Sequence, residues 1–309
     1  MTTPSGPGDG RPDPTLSAIM SERRRLINLS YRLLGSLAEA EDAVQETYAR
    51  WYTLSPQEQR AIASPGAWLT KVAGRICLNV LGSARARREN YVGDWIPEPL
   101  PEPAEWSGGR AGGATVDPAD RVTLDESISM AFLVVLEAMT PTERVAFILH
   151  DVFRYPFAEV ADIVGRTPAA CRKLASSGRR RLRGSRTPPP PTARQAAVVR
   201  NFKDAWEAKD IDALIGLLDP QVGATTDGGG LATVVRRPVE GAEQLARGLV
   251  GRLAGLTILE RTVNGQPGLV AQQDGTIVTV YAFAFAGDRI THIWAVRNPE
   301  KLQPWRAGG

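Results

Sequence analysis

Eight cationic side chains stand between Arg166 and Arg186 with no acid among them: Arg166, Arg172, Lys173, Arg179, Arg180, Arg181, Arg183 and Arg186. A one-sign run of that density suits the phosphates of a nucleic acid, which are bound largely by charge. Just upstream, Val160, Ile163 and Val164 have helical spacing, Gly165 permits a tight turn, and Thr167 followed by Pro168 reads as the cap and first turn of a second helix. That is a helix-turn-helix pattern. In such a motif the start of the second helix enters the major groove. Thr167, Ala169, Arg172, Lys173 and Ser176 are therefore candidates for base and nearby backbone contacts, and Arg179 and Arg180 for phosphates. A solvated, charged helix end is the bland alternative. Cys171 falls on the inward face with Val164 and Ala175, where a free thiol acts as a small hydrophobe.

A second basic cluster, Arg75 with Arg85, Arg87 and Arg88, lies along a helical segment that also carries Asn79, and could meet another stretch of DNA. The opposite polarity appears at Glu39, Glu41, Asp42 and Glu46, together with Gln45. Such a surface repels DNA and suits a basic protein partner. Complementing a helix dipole explains Glu39 and Glu41 but accounts less well for Glu46.

The elements that must position these groups follow from periodicity. Leu26, Ile27, Leu29, Leu33 and Leu34, then Ala43, Val44, Tyr48 and Trp51, mark helices, and Ser64-Pro65 starts another whose stripe is Trp68, Leu69, Val72, Ile76 and Val80. After a Pro- and Gly-rich tail over residues 1–14, the first all-α unit spans 15–92. An acidic Pro/Gly linker covers 93–120, a second all-α unit 121–186, and a polyproline spacer 187–192. Residues 193–305 open with helical patterns at Gln195–Ala208 and Ile211–Leu218. They then turn to period two over Ile277–Phe285 and Ile290–Val296, with Gly287-Asp288 as a hairpin turn between those runs. This last third reads as α+β.

A chain of 309 residues exceeds one ordinary core, and 43% apolar with 23% charged residues excludes both a disordered tail and a membrane protein. The most apolar stretch, Thr276 to Ala286, is far too short for a spanning helix. The N-terminus has no apolar export segment. Cys77 and Cys171 have neither metal-ligand spacing nor disulfide density, so a reducing cytosol is the expected compartment, with no metal and no cofactor.

The run Leu37-Ala38-Glu39-Ala40-Glu41-Asp42-Ala43-Val44-Gln45-Glu46-Thr47-Tyr48, the segment Ser64-Pro65-Gly66-Ala67-Trp68-Leu69 and the helix-turn-helix together resemble regions 2 and 4 of a bacterial extracytoplasmic-function sigma factor. Tyr91 through Pro99, Asp227-Gly228-Gly229-Gly230 and Asn298-Pro299-Glu300-Lys301-Leu302 are similar to signatures of the sigma-J-type subgroup. The resemblance covers nearly the whole chain, Leu16 to Leu302. It implies two all-α domains followed by a SnoaL/NTF2-like cone-shaped α+β barrel. It also implies that Glu41, Asp42, Gln45 and Glu46 dock on the clamp of core RNA polymerase, whose flap is the other expected contact. Arg75, Asn79, Arg85, Arg87 and Arg88 would face the −10 promoter element, and the helix after Thr167 would read the −35 element. Departures are mild: Asp94, Ile96, Leu231 and Glu300 stand where the subgroup usually has Pro, Leu, Lys and Asp, while Asn79 and Gly82 replace a frequent Asp and Arg.

From the same subgroup, Asp227, Gly228, Gly229 and Gly230 and the segment with Asn298, Pro299, Lys301 and Leu302 are expected to pack against the helical regions or against the linker residues Trp95, Pro97, Glu98 and Pro99, controlling the spacing of the two helical regions. A flexible turn explains the glycine loop equally well. Trp95 beside Pro97 offers a rigid apolar surface that a free linker would not keep exposed. The last domain could hold a small-molecule ligand in its pocket. General acid or base catalysis by Asp227 or His292 is the weaker alternative, since no second ionisable group sits at a telling spacing. The leading expectation is thus a non-enzymatic transcription initiation factor regulated in cis. A ligand-responsive helix-turn-helix regulator is the runner-up, and a SnoaL-like cyclase or isomerase with a DNA-binding appendage comes third.

Overall fold

The structure, a computed structural model, describes residues 22–89, 91–101, 128–184, 193–234 and 238–306, with 84–89 and 184 as backbone only. The tail at 1–14, the linker beyond 101 and the spacer at 187–192 lie outside the described residues. So do the side chains of Arg85, Arg87 and Arg88, although their backbone continues a helix.

Helix α1 (Arg23–Leu34) buries Leu26, Leu29, Leu33 and Leu34 at helical spacing and stops at Gly35, whose left-handed backbone (φ 72°) closes the last turn. Ser36 then caps α2 (Leu37–Thr53) by accepting from the Glu39 N–H. A capping box between Ser55 and Glu58 opens α3 (Pro56–Ala61), and Ser64 precedes the 25-residue α4 (Pro65–Glu89). The second helical unit comprises α5 (Met130–Glu137), α6 (Pro141–Phe147) running into a π turn at Ile148–Val152, α7 (Phe157–Val164) and α8 (Pro168–Gly184).

The two helical units share one core. Leu33, Leu34, Ile76 and Cys77 of the first cluster with Phe132, Leu136, Phe147 and Ile163 of the second. The Arg144 guanidinium is itself buried there, donating to the Leu33 carbonyl at 2.8 Å and to Glu137 at 2.7 Å. Burial pushes the Cys77 thiol up to about 12, which leaves it a packing residue rather than a nucleophile.

Helices α9 (Ala193–Glu207) and α10 (Ile211–Leu217) lead into β1 (Leu218–Asp227) and β2 (Val239–Glu240), followed by α11 (Ala242–Val250). Strands β3 (Thr257–Val263), β4 (Gln266–Gln273), β5 (Thr276–Ala286) and β6 (Arg289–Val296) and the short α12 (Gln303–Arg306) complete the chain. The sheet is open, in the order β2-β1-β6-β5-β4-β3, with β1 and β6 parallel and the other pairs antiparallel. The Gly287-Asp288 hairpin joins β5 to β6 as its residue types suggest.

One face of the sheet packs Phe283, Ile293 and Leu269 against Phe202, Trp206 and Leu249 of its own helices. The other places Val263, Val270, Val280 and Val296 against Ile96 and Met130 from the helical half and against Leu302 and Trp305. This double cover is why the period-two run of β5 alternates large with small residues instead of apolar with charged ones.

Candidate functional site

Residues 91–101 leave α4 as an extended strap between the helical half and the sheet, and Ile96 through Pro101 are buried. An extended strap has no internal ladder, so its polar groups need partners from both sides. On the helical side the Glu98 N–H donates to the Gly35 carbonyl at 2.8 Å, and the Glu98 carboxylate accepts from the Leu37 N–H at 2.8 Å and the Ser36 hydroxyl at 3.1 Å. A carboxylate at the start of α2 complements the orphan amides there. Trp95 lies against the same corner: a side chain at Gly35 would meet its indole at 2.9 Å.

On the sheet side the centre is Asp227, the last residue of β1, which has no exposed surface. Its carboxylate accepts from the Tyr91 hydroxyl at 2.6 Å, the Ile96 N–H and the Gly229 N–H at 3.0 Å, and the Lys301 ammonium at 2.7 Å. Lys301 also donates to the Ile96 carbonyl at 2.5 Å and sits 4.0 Å from the centroid of the Trp95 ring and 5.1 Å from that of Tyr91. The Asn298 amide donates to the Tyr91 hydroxyl at 2.8 Å. Burial, with the Asp227 carboxylate beside it, pushes the Tyr91 phenol above its ordinary range and keeps it protonated. A buried ion pair needs this many additional hydrogen bonds to be tolerated.

The glycines of the loop have distinct duties. Gly229 (φ 61°) lies where any side chain would collide with the Asn298 amide, and one at Gly230 would meet Val92 at 3.0 Å. Gly228 is closed in by the Ala232 carbonyl at 2.6 Å. The loop is therefore packed on its neighbours instead of free.

Trp95, Pro97, Glu98 and Pro99 are thus brought together with Asp227, the glycine loop, Asn298 and Lys301. Pro299 sits in the same turn, and Leu302 is buried beneath it with Ile96. Residues absent from that expectation complete the latch. Asn264 exchanges backbone and side-chain bonds with Leu100, at 2.8 and 3.1 Å, and donates to the Tyr31 hydroxyl at 2.8 Å. Tyr31 in turn donates to the Glu98 carbonyl at 2.6 Å, and the Trp305 indole donates to the Pro99 carbonyl at 2.8 Å. Asn264-Gly265 carries an ordinary turn signature, so nothing local in the sequence marks Asn264 as a binding residue.

Glu98 supplies a prediction. Burial holds its carboxyl above the usual carboxylate range. The folded chain therefore binds that proton more tightly than the unfolded one, and stability is lost as pH rises through the folded value. Glu98→Gln keeps an acceptor for Leu37 and removes the charge. Its Tm should exceed that of the parent at neutral pH, and the gap should shrink as the pH is lowered and the Glu98 carboxyl takes up its proton. A variant that melts below the parent at neutral and at acidic pH alike would contradict this.

The acidic helix presents Asp42, Gln45 and Glu46 to solvent, in line with Tyr52, which is 54% exposed; Glu41 is half-buried. Glu46 pairs along the helix with Arg50 at 2.8 Å.

In the helix-turn-helix, Gly165 (φ 69°) ends α7, and Thr167 caps α8 by accepting from the Ala170 N–H. Cys171 and Ala175 face inward, leaving Thr167, Ala169, Arg172, Lys173, Ser176 and Arg180 exposed. Arg172 stacks over Phe157, 5.5 Å from its centroid. Arg179 is engaged within the chain, with Asp151 at 2.8 and 3.0 Å and with the Ser176 hydroxyl at 2.8 Å.

Arg75 is engaged as well. Its guanidinium donates to the Asp162 carbonyl in α7 at 2.8 Å, while Lys71 pairs with the Asp162 carboxylate at 2.9 Å. Close approach of α4 to α7 depends on Gly74, where a side chain would meet Ile163 at 3.0 Å. Asn79 remains exposed one turn further on. The helix carrying Arg75 is therefore bound to α7, the first helix of the helix-turn-helix, while the exposed face of α8 stays uncovered by α4.

Comparison with known proteins gives a consistent family assignment. The family model for sigma-70 region 2 matches residues 18–87, and that for sigma-70, region 4 matches residues 129–182. The chain is 36% identical over 298 residues to the ECF RNA polymerase sigma factor SigJ of Mycobacterium tuberculosis (strain ATCC 25618 / H37Rv), covering 91% of this chain and 90% of that one. It is 33% identical to the probable ECF RNA polymerase sigma factor SigI of the same organism, covering 96% and 97%. The crystal structure of Mycobacterium tuberculosis SigJ superposes with a TM-score of 0.74 at 32% identity, over 94% of this chain and 98% of that one.

Proposed function

The chain belongs to the extracytoplasmic-function (ECF) RNA polymerase sigma factors, which direct promoter-specific transcription initiation, and from that premise we propose that its latched form is a closed state held in cis by the C-terminal domain. The observation that carries this reading is the engagement of Lys71 and Arg75 with Asp162. Promoter elements named −10 and −35 lie about 25 base pairs apart, roughly 85 Å along a duplex at 3.4 Å per pair. Helices joined by bonds of 2.8 and 2.9 Å cannot reach both elements at once. Initiation therefore requires α4 and α7 to part, and the strap and latch, which tie both helical units to the sheet, oppose that.

In the open form, Glu41, Asp42, Gln45 and Glu46 dock on the polymerase clamp while the second helical unit meets the flap. Arg75 and Asn79, with the basic end of α4, then face the −10 element, and Thr167, Ala169, Arg172, Lys173, Ser176 and Arg180 read the −35 element. Arg179 joins them once released from Asp151. We assign the last domain a binding role and not a catalytic one. Asp227 is consumed by the latch, and His292 is held by Thr225 at 3.0 Å beside the Trp294 ring, with burial lowering its pKa.

A reversible lock tests the closed-state reading. Gly74→Cys with Ile163→Cys places two thiols across the α4–α7 contact, where the two positions already touch. With core polymerase and promoter DNA, the oxidised chain should give no promoter-specific transcript, and reduction should restore it. Equal transcription from both forms would refute the requirement for opening. Tight promoter binding by the chain without polymerase would instead favour a ligand-responsive repressor or activator.

A further inference from the structure

The helix-covered side of the sheet forms a solvent-open cavity of about 730 Å³, within the range of roughly 300–1,000 Å³ typical of small-molecule sites. Its walls are mainly apolar, with Val234, Val239, Leu245, Leu249, Leu256 and Ile293 among the lining residues. Two lining residues are held from behind by Trp206, whose indole donates to the Leu249 carbonyl at 2.9 Å and stands edge-on to Tyr281, their centroids 5.4 Å apart.

The charge of the lining is one-sided. Arg252 and Arg297 both line the cavity, and no Asp or Glu does so among the described residues. The Arg297 guanidinium donates to the Thr233 carbonyl through Nη1 at 2.6 Å, yet its Nε is buried without a hydrogen-bond partner. An unmatched donor on a cation is costly, and an incoming oxyanion would satisfy it. Arg252 is tethered by Nη1 to the Gly248 carbonyl at 2.9 Å. The Tyr281 hydroxyl lies in the field of both guanidinium groups.

We propose that this cavity is a binding site for a small, largely apolar molecule carrying one anionic group, its anion held by Arg297 and Arg252 and its apolar body lying between β6 and α11. The assignment rests on the closed-state reading only in treating the last domain as a sensor; the cavity chemistry stands without it. The site adjoins the latch directly. Thr226 lines the cavity one residue before Asp227, and the Arg297 N–H donates to the Asp227 carbonyl at 2.7 Å.

The test uses the purified full chain without polymerase, so its failure is separable from failure of the transcription lock. Two fluorescent probes share one ring system: 8-anilinonaphthalene-1-sulfonate is anionic and N-phenyl-1-naphthylamine is neutral. The anion should bind at one site per chain, roughly tenfold or more tighter than the neutral probe, a difference of about 1.4 kcal/mol. In Arg252→Met with Arg297→Met that gap should vanish while the neutral probe still binds, which shows that the cavity persists. Leu249→Trp, which fills the cavity, should exclude both probes. Equal affinities in the parent, a gap that survives loss of both arginines, or undiminished anion binding in Leu249→Trp would each overturn the proposal.

Discussion

Replacing Asp227 by alanine should increase promoter-specific transcription while lowering thermal stability. The carboxylate is fully buried and accepts four hydrogen bonds, and its partner Lys301 has a side chain only 10% exposed. Removing one member of a buried pair strands the other, at a cost of about 3–5 kcal/mol. Where that cost falls decides the phenotype. The Ile96 N–H, the Tyr91 hydroxyl and the Lys301 ammonium lose an acceptor at the interface, whereas the Trp206–Phe283 side of the sheet is untouched. The bonds from Ile96 and Tyr91 exist only in the closed form, whereas those from Lys301 and Gly229 lie within the last domain, so the closed form is penalised more than the open one. Each 1.4 kcal/mol shifts the closed-to-open ratio about tenfold, so the open population should rise roughly a hundredfold or more until opening ceases to limit initiation. Run-off transcription with core polymerase reads the gain, and near-UV circular dichroism reports whether the last domain keeps its packing. A variant that melts early yet transcribes at the parental level would show that the latch holds the fold together without gating it. Lys301→Met combined with Asp227→Asn should recover part of the lost stability, because no unpaired charge is then left buried.

An equilibrium of this kind sets how tightly polymerase must bind. The apparent affinity of any partner that requires the open form is reduced by the open fraction. Polymerase and promoter together must therefore exceed the strap, the Asp227–Lys301 centre and the α4–α7 contact. A ligand in the cavity can bias that balance because Arg297 contacts the cavity through its side chain and Asp227 through its backbone.

The local devices of this fold are plain in the residue types. Ser64-Pro65, Thr167-Pro168 and Gly165 mark helix ends that the structure contains, and the charge segregation isolates α2 from α8. Gly287-Asp288 fixes the β5–β6 hairpin in the same way. What no local pattern carries is long-range closure. The bond from Lys301 to Ile96 spans 205 residues and that from Asn264 to Tyr31 spans 233, and neither has a periodic signature. Motif resemblance pointed to the Asp227 loop and the Asn298 segment, but their pairing is a property of the tertiary fold. Arg75 illustrates the opposite case: its charge suggests a phosphate, and its intrachain bond to the Asp162 carbonyl, an acceptor every residue possesses, has no signature in the residue types. Gly74 in mid-helix was the available hint that a neighbour comes close.

Reversal of Asp42 and Glu46 to Lys should abolish promoter-specific transcription and leave the fold intact. Both side chains are solvent-exposed, so the structural loss is confined to the Glu46–Arg50 pair, worth about 0.3–0.5 kcal/mol in such a setting. Against a basic polymerase surface the change replaces two attractions by two repulsions, and like charges across an interface cost several kcal/mol. Transcription should therefore fall roughly a hundredfold or more with Tm nearly unchanged, while Asp42→Asn alone should lie between the extremes. The order of events gives a sharper test. If α2 docks only after the latch has opened, Asp227→Ala cannot rescue the reversed face, and the combined variant should be as inactive as the reversal alone. Recovery of transcription in the combined variant would mean that the acidic helix acts by holding the chain closed, and the docking role would have to move to another surface.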